Sequence, residues 1–191
     1  MVWAKLGSDT LSGTADQVAL DISTTEKFIQ YFYHLIESTE IFQHIELNSD
    51  TGTNYARRYS SNGGTDVTQT SQSDMQWTQY FRDQFEIGYI TSIDTEEKLI
   101  IAFNIGANTA GAANAPTRME IAAKHDQTTN PVNRIEFNNN GSGDYATGSN
   151  LSALTGDETE TVTLQDGTIF EETDTNKAYI WNASTTTWTQ L

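Results

Sequence analysis

Phe28-Ile29-Gln30-Tyr31-Phe32-Tyr33-His34-Leu35-Ile36 is apolar on both alternations of a period-two pattern. Aromatic and β-branched residues at this density favour a strand. A strand buried on both faces, or partly covered by a loop, reads this way. His34 within it is expected to be a hydrogen-bonded core residue.

Further strands flank this one. Val18-Ala19-Leu20-Asp21-Ile22 opens the series. Ile41, Ile45 and Leu47 alternate with His44, Glu46 and Asn48, the pattern of a half-buried strand. His44 takes a polar position there, where a solvated imidazole is expected. Phe85, Ile87 and Tyr89 share one face of a later strand, and Leu99, Ile101, Phe103 and Ile105 share one face of the next. Met119, Ile121 and Ala123 alternate against Arg118, Glu120, Ala122 and Lys124. Ile135 and Phe137 alternate against Arg134, Glu136 and Asn138, and Leu151 and Ala153 close the series.

Turn residues separate the runs at Ser49–Gly52, Ser61–Gly64, Asn140–Gly143 and Asp166-Gly167. Gly106 to Ala115 is a loop of small residues. Helical periodicity is weak. Its best candidate is Asp74 to Asp83, with Met75, Trp77, Tyr80 and Phe81 on one side. Many short strands without intervening helices predict an all-β protein, an antiparallel sandwich.

The acidic stretch Thr155-Gly156-Asp157-Glu158-Thr159-Glu160 lacks apolar spacing and reads as a linker. The expected order is an N-terminal arm over residues 1–14, a sandwich over 15–156, a linker at 157–160 and a small β module at 161–191. About thirty residues bury little core. The module is therefore expected to rest on the main domain, on its copies or on a partner.

The 191 residues carry no Cys and a net charge of −16, from 10 basic and 26 acidic side chains. Absent cysteines exclude a disulfide scaffold, thiolate metal sites and a thiol nucleophile. The charge argues against a sequence-independent grip on nucleic acid and against an anionic membrane surface. Disorder has a similar charge signature, but 36% of residues are hydrophobic and 10% aromatic. The first residues, Met1-Val2-Trp3-Ala4-Lys5-Leu6-Gly7, lack a basic segment followed by an apolar one. Two settings fit. One is a protein made in a cytosol for use outside it. The other is a cytosolic protein of an organism with an acidic proteome.

Catalytic patterns are sparse, and no enzyme activity is expected. His34, His44 and His125 form no zinc motif. Glu37, Glu40 and Glu46 offer a carboxylate pair for glycoside hydrolysis, but pairs arise by chance among so many acids. Asn48-Ser49-Asp50-Thr51-Gly52-Thr53-Asn54 begins like a calcium loop, yet its twelfth position is Tyr59 rather than Glu. A tight turn is the expected reading, and no metal or cofactor is assigned. Asn140, Asn150 and Asn182 each head an Asn-x-Ser tripeptide, a glycosylation acceptor only where the producing cell has the machinery.

Aromatics carry the binding candidates. Tyr55, Arg57, Arg58 and Tyr59 cluster near a turn in a chain poor in basic residues. Tyr179, Trp181 and Trp188 lie in the small module. Rings of this kind stack on sugars and anchor protein interfaces, and plain core packing is the alternative for Trp181.

The run from Asn48 to Gly64, with its Asn/Asp/Gly turn, Asn54-Tyr55 and Arg57-Arg58-Tyr59, resembles a segment of structural proteins of tailed viruses of bacteria and archaea. Gly143 to Gly156 is similar to the closing strand of the same group. Leu164 to Trp188, with Asp166-Gly167, Phe170, Asp174, Tyr179 and Trp181, resembles a short module of phage virion and tail proteins. The resemblance implies a jelly-roll sandwich related to concanavalin-like lectin and laminin-G modules. It implies a virion location, and no site residues come with it. The expected function is a non-enzymatic capsid decoration, minor capsid or tail component. Other virion proteins and further copies of this chain are the expected partners. The alternative is a host-attachment module that binds surface glycans.

Overall fold

A computed structural model describes residues 2–22, 26–36, 41–76, 83–107, 109–140, 143–157, 164–172, 175 and 177–191. Two compact units divide the chain, at residues 1–158 and 159–191. No helix occurs among the described residues. Met75–Gln76 of the expected helical stretch form a short strand, and residues 77–82 lie outside the described set.

The first unit contains β1 (Val2–Thr10), β2 (Gln17–Asp21), β3 (Phe28–Leu35), β4 (Gln43–Leu47), β5 (Tyr55–Ser61) and β6 (Val67–Gln72). They are followed by β7 (Met75–Gln76), β8 (Asp83–Thr91), β9 (Lys98–Ala107), β10 (Thr117–His125), β11 (Arg134–Asn139) and β12 (Asn150–Asp157). Eight strands form a large sheet in the order β1-β12-β3-β8-β9-β10-β5-β6, and β2-β11-β4-β7 form a smaller one. Neighbours pair antiparallel throughout. The fold is thus an all-β antiparallel sandwich. Residues 2–10, expected as an arm, are the edge strand of the large sheet, because β1 pairs with β12 from Val2 to Thr10.

The core lies between the sheets. Ile29, Tyr31, Tyr33 and Leu35 of β3 face Ile45, Leu47, Ile135 and Phe137 of the small sheet, and all are buried. The Phe137 ring sits 4.5 Å from Tyr33, edge-on, and 5.7 Å from Tyr31. Edge-to-face contacts at these distances add to area burial. Gly88 of β8 lies under Tyr31, where a Cβ would stand 2.2 Å from the ring.

The outer faces of the two sheets differ in kind. The small sheet presents Gln17, Asp21, Glu46, Arg134, Glu136 and Asn138 on its outward alternation. These side chains bond one another, Arg134 Nε donating to Glu136 at 2.8 Å and Gln17 Nε2 to the same carboxylate at 3.2 Å. The large sheet presents hydrophobic rows instead.

The second unit holds β13 (Ile169–Glu172), β14 (Lys177–Asn182) and β15 (Thr187–Gln190) in one antiparallel sheet. None of its described residues is buried, as expected of so short a segment.

Candidate interaction surface

The outward residues of the large sheet are aligned by strand register. Tyr89 stands between Gln30 and Ile101, Ile87 between Phe32 and Phe103, and Phe85 between His34 and Ile105. β10 extends these rows with Ala122, Glu120 and Arg118. Leu99 begins a fourth row, and its N–H donates to Thr91 Oγ1 at 2.8 Å. Directly opposed cross-strand pairs touch, so β8 and β9 together make a continuous apolar stripe.

This stripe is open to solvent. Phe85 is 49% exposed, Leu99 54%, Ile101 and Phe103 53% each, and Ile105 50%. The alternate residues Lys98, Ile100, Ala102 and Asn104 are 0–1% exposed. On β9 the polar Lys98 and Asn104 therefore face in with Ile100 and Ala102, and an unbroken apolar set faces out. At one end, Trp3, Phe28, Tyr89, Leu99 and Ile101 border a groove of about 450 Å³.

Glu86 and Lys98 occupy the inward side with hydrogen-bond partners waiting there. Glu86, fully buried, accepts from Tyr31 Oη at 2.6 Å, Tyr33 Oη at 2.9 Å and Asn104 Nδ2 at 3.1 Å. Burial, reinforced by the nearby Glu86 charge, pushes the Tyr33 phenol well above its ordinary pKa. That keeps the phenol a donor. Lys98 Nζ reaches two backbone carbonyls, those of Ile93 and Glu96. With these partners a charged residue can sit inward, which leaves the apolar alternation outside.

The charges that flank the stripe on β5 and β10 are paired. Arg118 pairs with Glu120 at 3.2 Å, Lys124 with Glu97 at 2.9 Å and Arg58 with Asp66 at 3.6 Å. Exposed pairs of this kind add little stability. They pair the charges of β5 and β10 beside the stripe in a chain of net charge −16.

The expected binding residues of β5 do not share a surface. Tyr55 is in the core, its hydroxyl accepting from the Leu47 N–H at 3.1 Å and donating to the Asp50 carbonyl at 2.9 Å. Arg57 is buried, bonded through Nε to Gln69 at 2.6 Å, with its guanidinium 5.2 Å from the Tyr59 ring. Tyr59 packs against the core. Arg58 alone of the four points outward, opposite Ala122. The alternation of a strand separates neighbours in this way.

Histidines also depart from expectation. His34 is exposed on the outer face, whereas His44 is buried and its Nδ1 pairs with Asp74 at 2.8 Å. His125, fully buried, stacks on Tyr55 with centroids 4.4 Å apart and pairs through Nε2 with Asp50 at 2.8 Å. The same Asp50 carboxylate accepts from the Gly52 N–H at 2.8 Å and from Asn54 Nδ2 at 2.9 Å. Asn48 and Ser49 take positive φ. The Asn48–Asn54 segment is therefore a hydrogen-bonded turn whose carboxylate is engaged by protein donors. Glu37 and Glu40 lie outside the described residues. Asn150 sits in β12 and its amide donates to the Asp9 carbonyl at 2.8 Å, so that acceptor tripeptide is held within the sheet.

In the small module Phe170, Tyr179, Trp181 and Trp188 share one face of the three-stranded sheet. Trp181 and Trp188 are cross-strand partners with centroids 5.3 Å apart, and Phe170 lies 6.1 Å from Trp188 and 6.3 Å from Tyr179. Phe170 is 51% exposed and Trp188 40%.

Period-two alternation marks a shared face without marking which side is inward, so sequence alone does not show that this stripe is exposed. Glu86 and Lys98, on the opposite alternation, were the available signal only once their partners are known. Comparison with protein-family models, curated proteins and solved structures finds no match to this chain.

Proposed function

We propose that this chain is a non-enzymatic assembly protein of a virion, acting as a capsid decoration, minor capsid or tail-associated component. The observation that carries the assembly role is the exposed apolar stripe of β8 and β9. Monomeric soluble proteins rarely expose a contiguous apolar patch of more than a few hundred Å². The broad run of exposed apolar side chains across neighbouring strands suits a protein contact better than a small-molecule cleft. The virion setting draws its support from the resemblance of the Asn48–Gly64 and Leu164–Trp188 segments to virion proteins. Quantitative mass spectrometry of purified particles tests the reading. Many stoichiometric copies are expected, and absence of the chain from particles overturns the proposal.

A second reading, a glycan-binding attachment module, draws support from the aromatic face of β13–β15. Partly exposed rings suit stacking on sugar faces. On a glycan array, the Trp188→Ala variant is expected to lose binding that the wild type shows. An array without signal for the wild type removes this reading.

A further inference from the structure

We propose that the outer face of the large sheet docks a second copy of this chain, sheet against sheet, about a two-fold axis passing near Ile101 and Phe103. The proposal rests on the assembly reading in taking this face as an interface, and it names the occupant.

Size, charge and shape point to a second copy. Six strands from β12 to β5 at about 4.8 Å spacing, each with about nine residues at about 3.4 Å, cover roughly 850 Å². A stable interface takes about 800 Å² from each partner. The apolar centre lies on β8 and β9, and the strands β10 and β5 on one side of it carry Arg58, Arg118, Glu120 and Lys124. Protein interfaces likewise set polar residues at the margin of an apolar centre. Sheets with filled faces pack about 10 Å apart, and a two-fold axis needs only a surface complementary to itself.

Electrostatics separates this occupant from others. A partner of opposite charge has the whole acidic remainder of the chain to choose from, and the stripe is where that attraction is weakest. Two copies of an acidic chain instead meet with least repulsion where cations and carboxylates are already paired. Beyond a screening length of about 8 Å at physiological ionic strength, the remaining repulsion fades. Self-association through this face should therefore strengthen as salt rises. A contact held by complementary charges weakens.

Sedimentation equilibrium of the full chain at micromolar concentration tests the proposal. A dimer is expected, tightening between low and high salt. Ile101→Glu places an unpaired charge at the centre of the contact and should raise the dimer dissociation constant about 100-fold or more. Phe103→Ser is a milder second variant should the first fold poorly, and circular dichroism of each confirms the native sheet. Because the chain has no Cys, Phe103→Cys gives a single thiol near the axis. A short bismaleimide should link two copies through it, but not through the exposed Ser12→Cys control.

A wild type that stays monomeric overturns the second-copy proposal, and the particle measurement then decides the assembly reading by itself. A dimer that survives both face variants, or that links through Ser12→Cys rather than Phe103→Cys, overturns it as well. A dimer lost in the face variants upholds it, even for a chain absent from particles, in which case the assembly reading alone fails.

Discussion

Gly88 shows how one missing side chain sets the interior of the sandwich. The Tyr31 ring fills the space a Cβ would take, and its hydroxyl is fixed on Glu86 at 2.6 Å. Gly88→Ala must displace a ring held by Phe137 on one side and by a buried carboxylate at its tip. Overpacking of this kind, with a weakened buried hydrogen bond, should cost about 2–3 kcal/mol in urea unfolding. A loss below about 0.5 kcal/mol would show that Tyr31 is free to move. Asp50 works at the same scale. Burial opposes its ionisation, but hydrogen bonds from Asn54, His125 and the Gly52 N–H outweigh burial and hold its pKa below the usual value. Asp74 is lowered likewise, burial being outweighed by the His44 hydrogen bond. A carboxyl depressed in the folded state stabilises above its unfolded pKa of about 3.9 and loses that contribution as pH falls through the folded value. Asp50→Asn should therefore cost about 1–2 kcal/mol at pH 7. The difference from wild type should shrink steadily below about pH 4 in denaturation curves taken across that range. A difference that holds constant to pH 2 would assign the cost to shape rather than charge.

At the scale of the strand, β9 makes a sharper test, because Ile100 and Ile101 are neighbours of the same type on opposite faces. Ile100 is 1% exposed and Ile101 53%. Ile100→Ala should cost about 2–5 kcal/mol wherever it is measured. Ile101→Ala should change the unfolding free energy of dilute protein by no more than about 0.5 kcal/mol. Equal effects of the two would mean that both faces are buried in dilute solution. The pair also marks the limit of what the sequence made legible. Most strands of the first unit were readable from alternation and from turns such as Ser49–Gly52 and Ser61–Gly64. β1 and β6 show no apolar alternation, having Lys5, Gly7, Ser8 and Asp9 in one and Thr68, Gln69, Thr70 and Ser71 in the other; β5 reads only as a cluster beside a turn, and Met75 of β7 reads as part of a helical stretch. Direction was the larger gap. Hydrophobicity places Phe85, Leu99, Ile101 and Phe103 inside by default. The inward placement of Glu86 and Lys98 depends on Tyr31, Tyr33, Asn104 and two backbone carbonyls, partners far along the chain or fixed only by the fold. The β5 cluster failed as a surface for the same reason, since adjacency in sequence puts Arg57 and Arg58 on opposite sides of a sheet.

For the whole molecule, the distribution of buried residues decides which part folds alone. Among the described residues, the buried hydrophobic core runs from Val18 to Ala153, and β12, which ends at Asp157, closes the large sheet between β1 and β3. The second unit contributes no buried side chain among its described residues. Its order comes from strand pairing and from the Phe170, Tyr179, Trp181 and Trp188 cluster, a short three-stranded sheet at the lower limit of independent stability. Removing it therefore takes no core from the sandwich. A chain of residues 1–158 should express as a folded protein with an unfolding midpoint within a few degrees of the full chain, the shift expected for losing less than about 1 kcal/mol. Thermal denaturation followed by near-ultraviolet circular dichroism measures this directly, because Tyr31, Tyr33, Tyr55 and Tyr145 are buried reporters inside the sandwich. The converse fragment, residues 159–191, should be at best marginally folded as a monomer, with weak dispersion of its tryptophan amide signals. A sandwich that unfolds without the tail would show that residues 159–191 complete a core which the packing of residues 18–153 otherwise closes unaided.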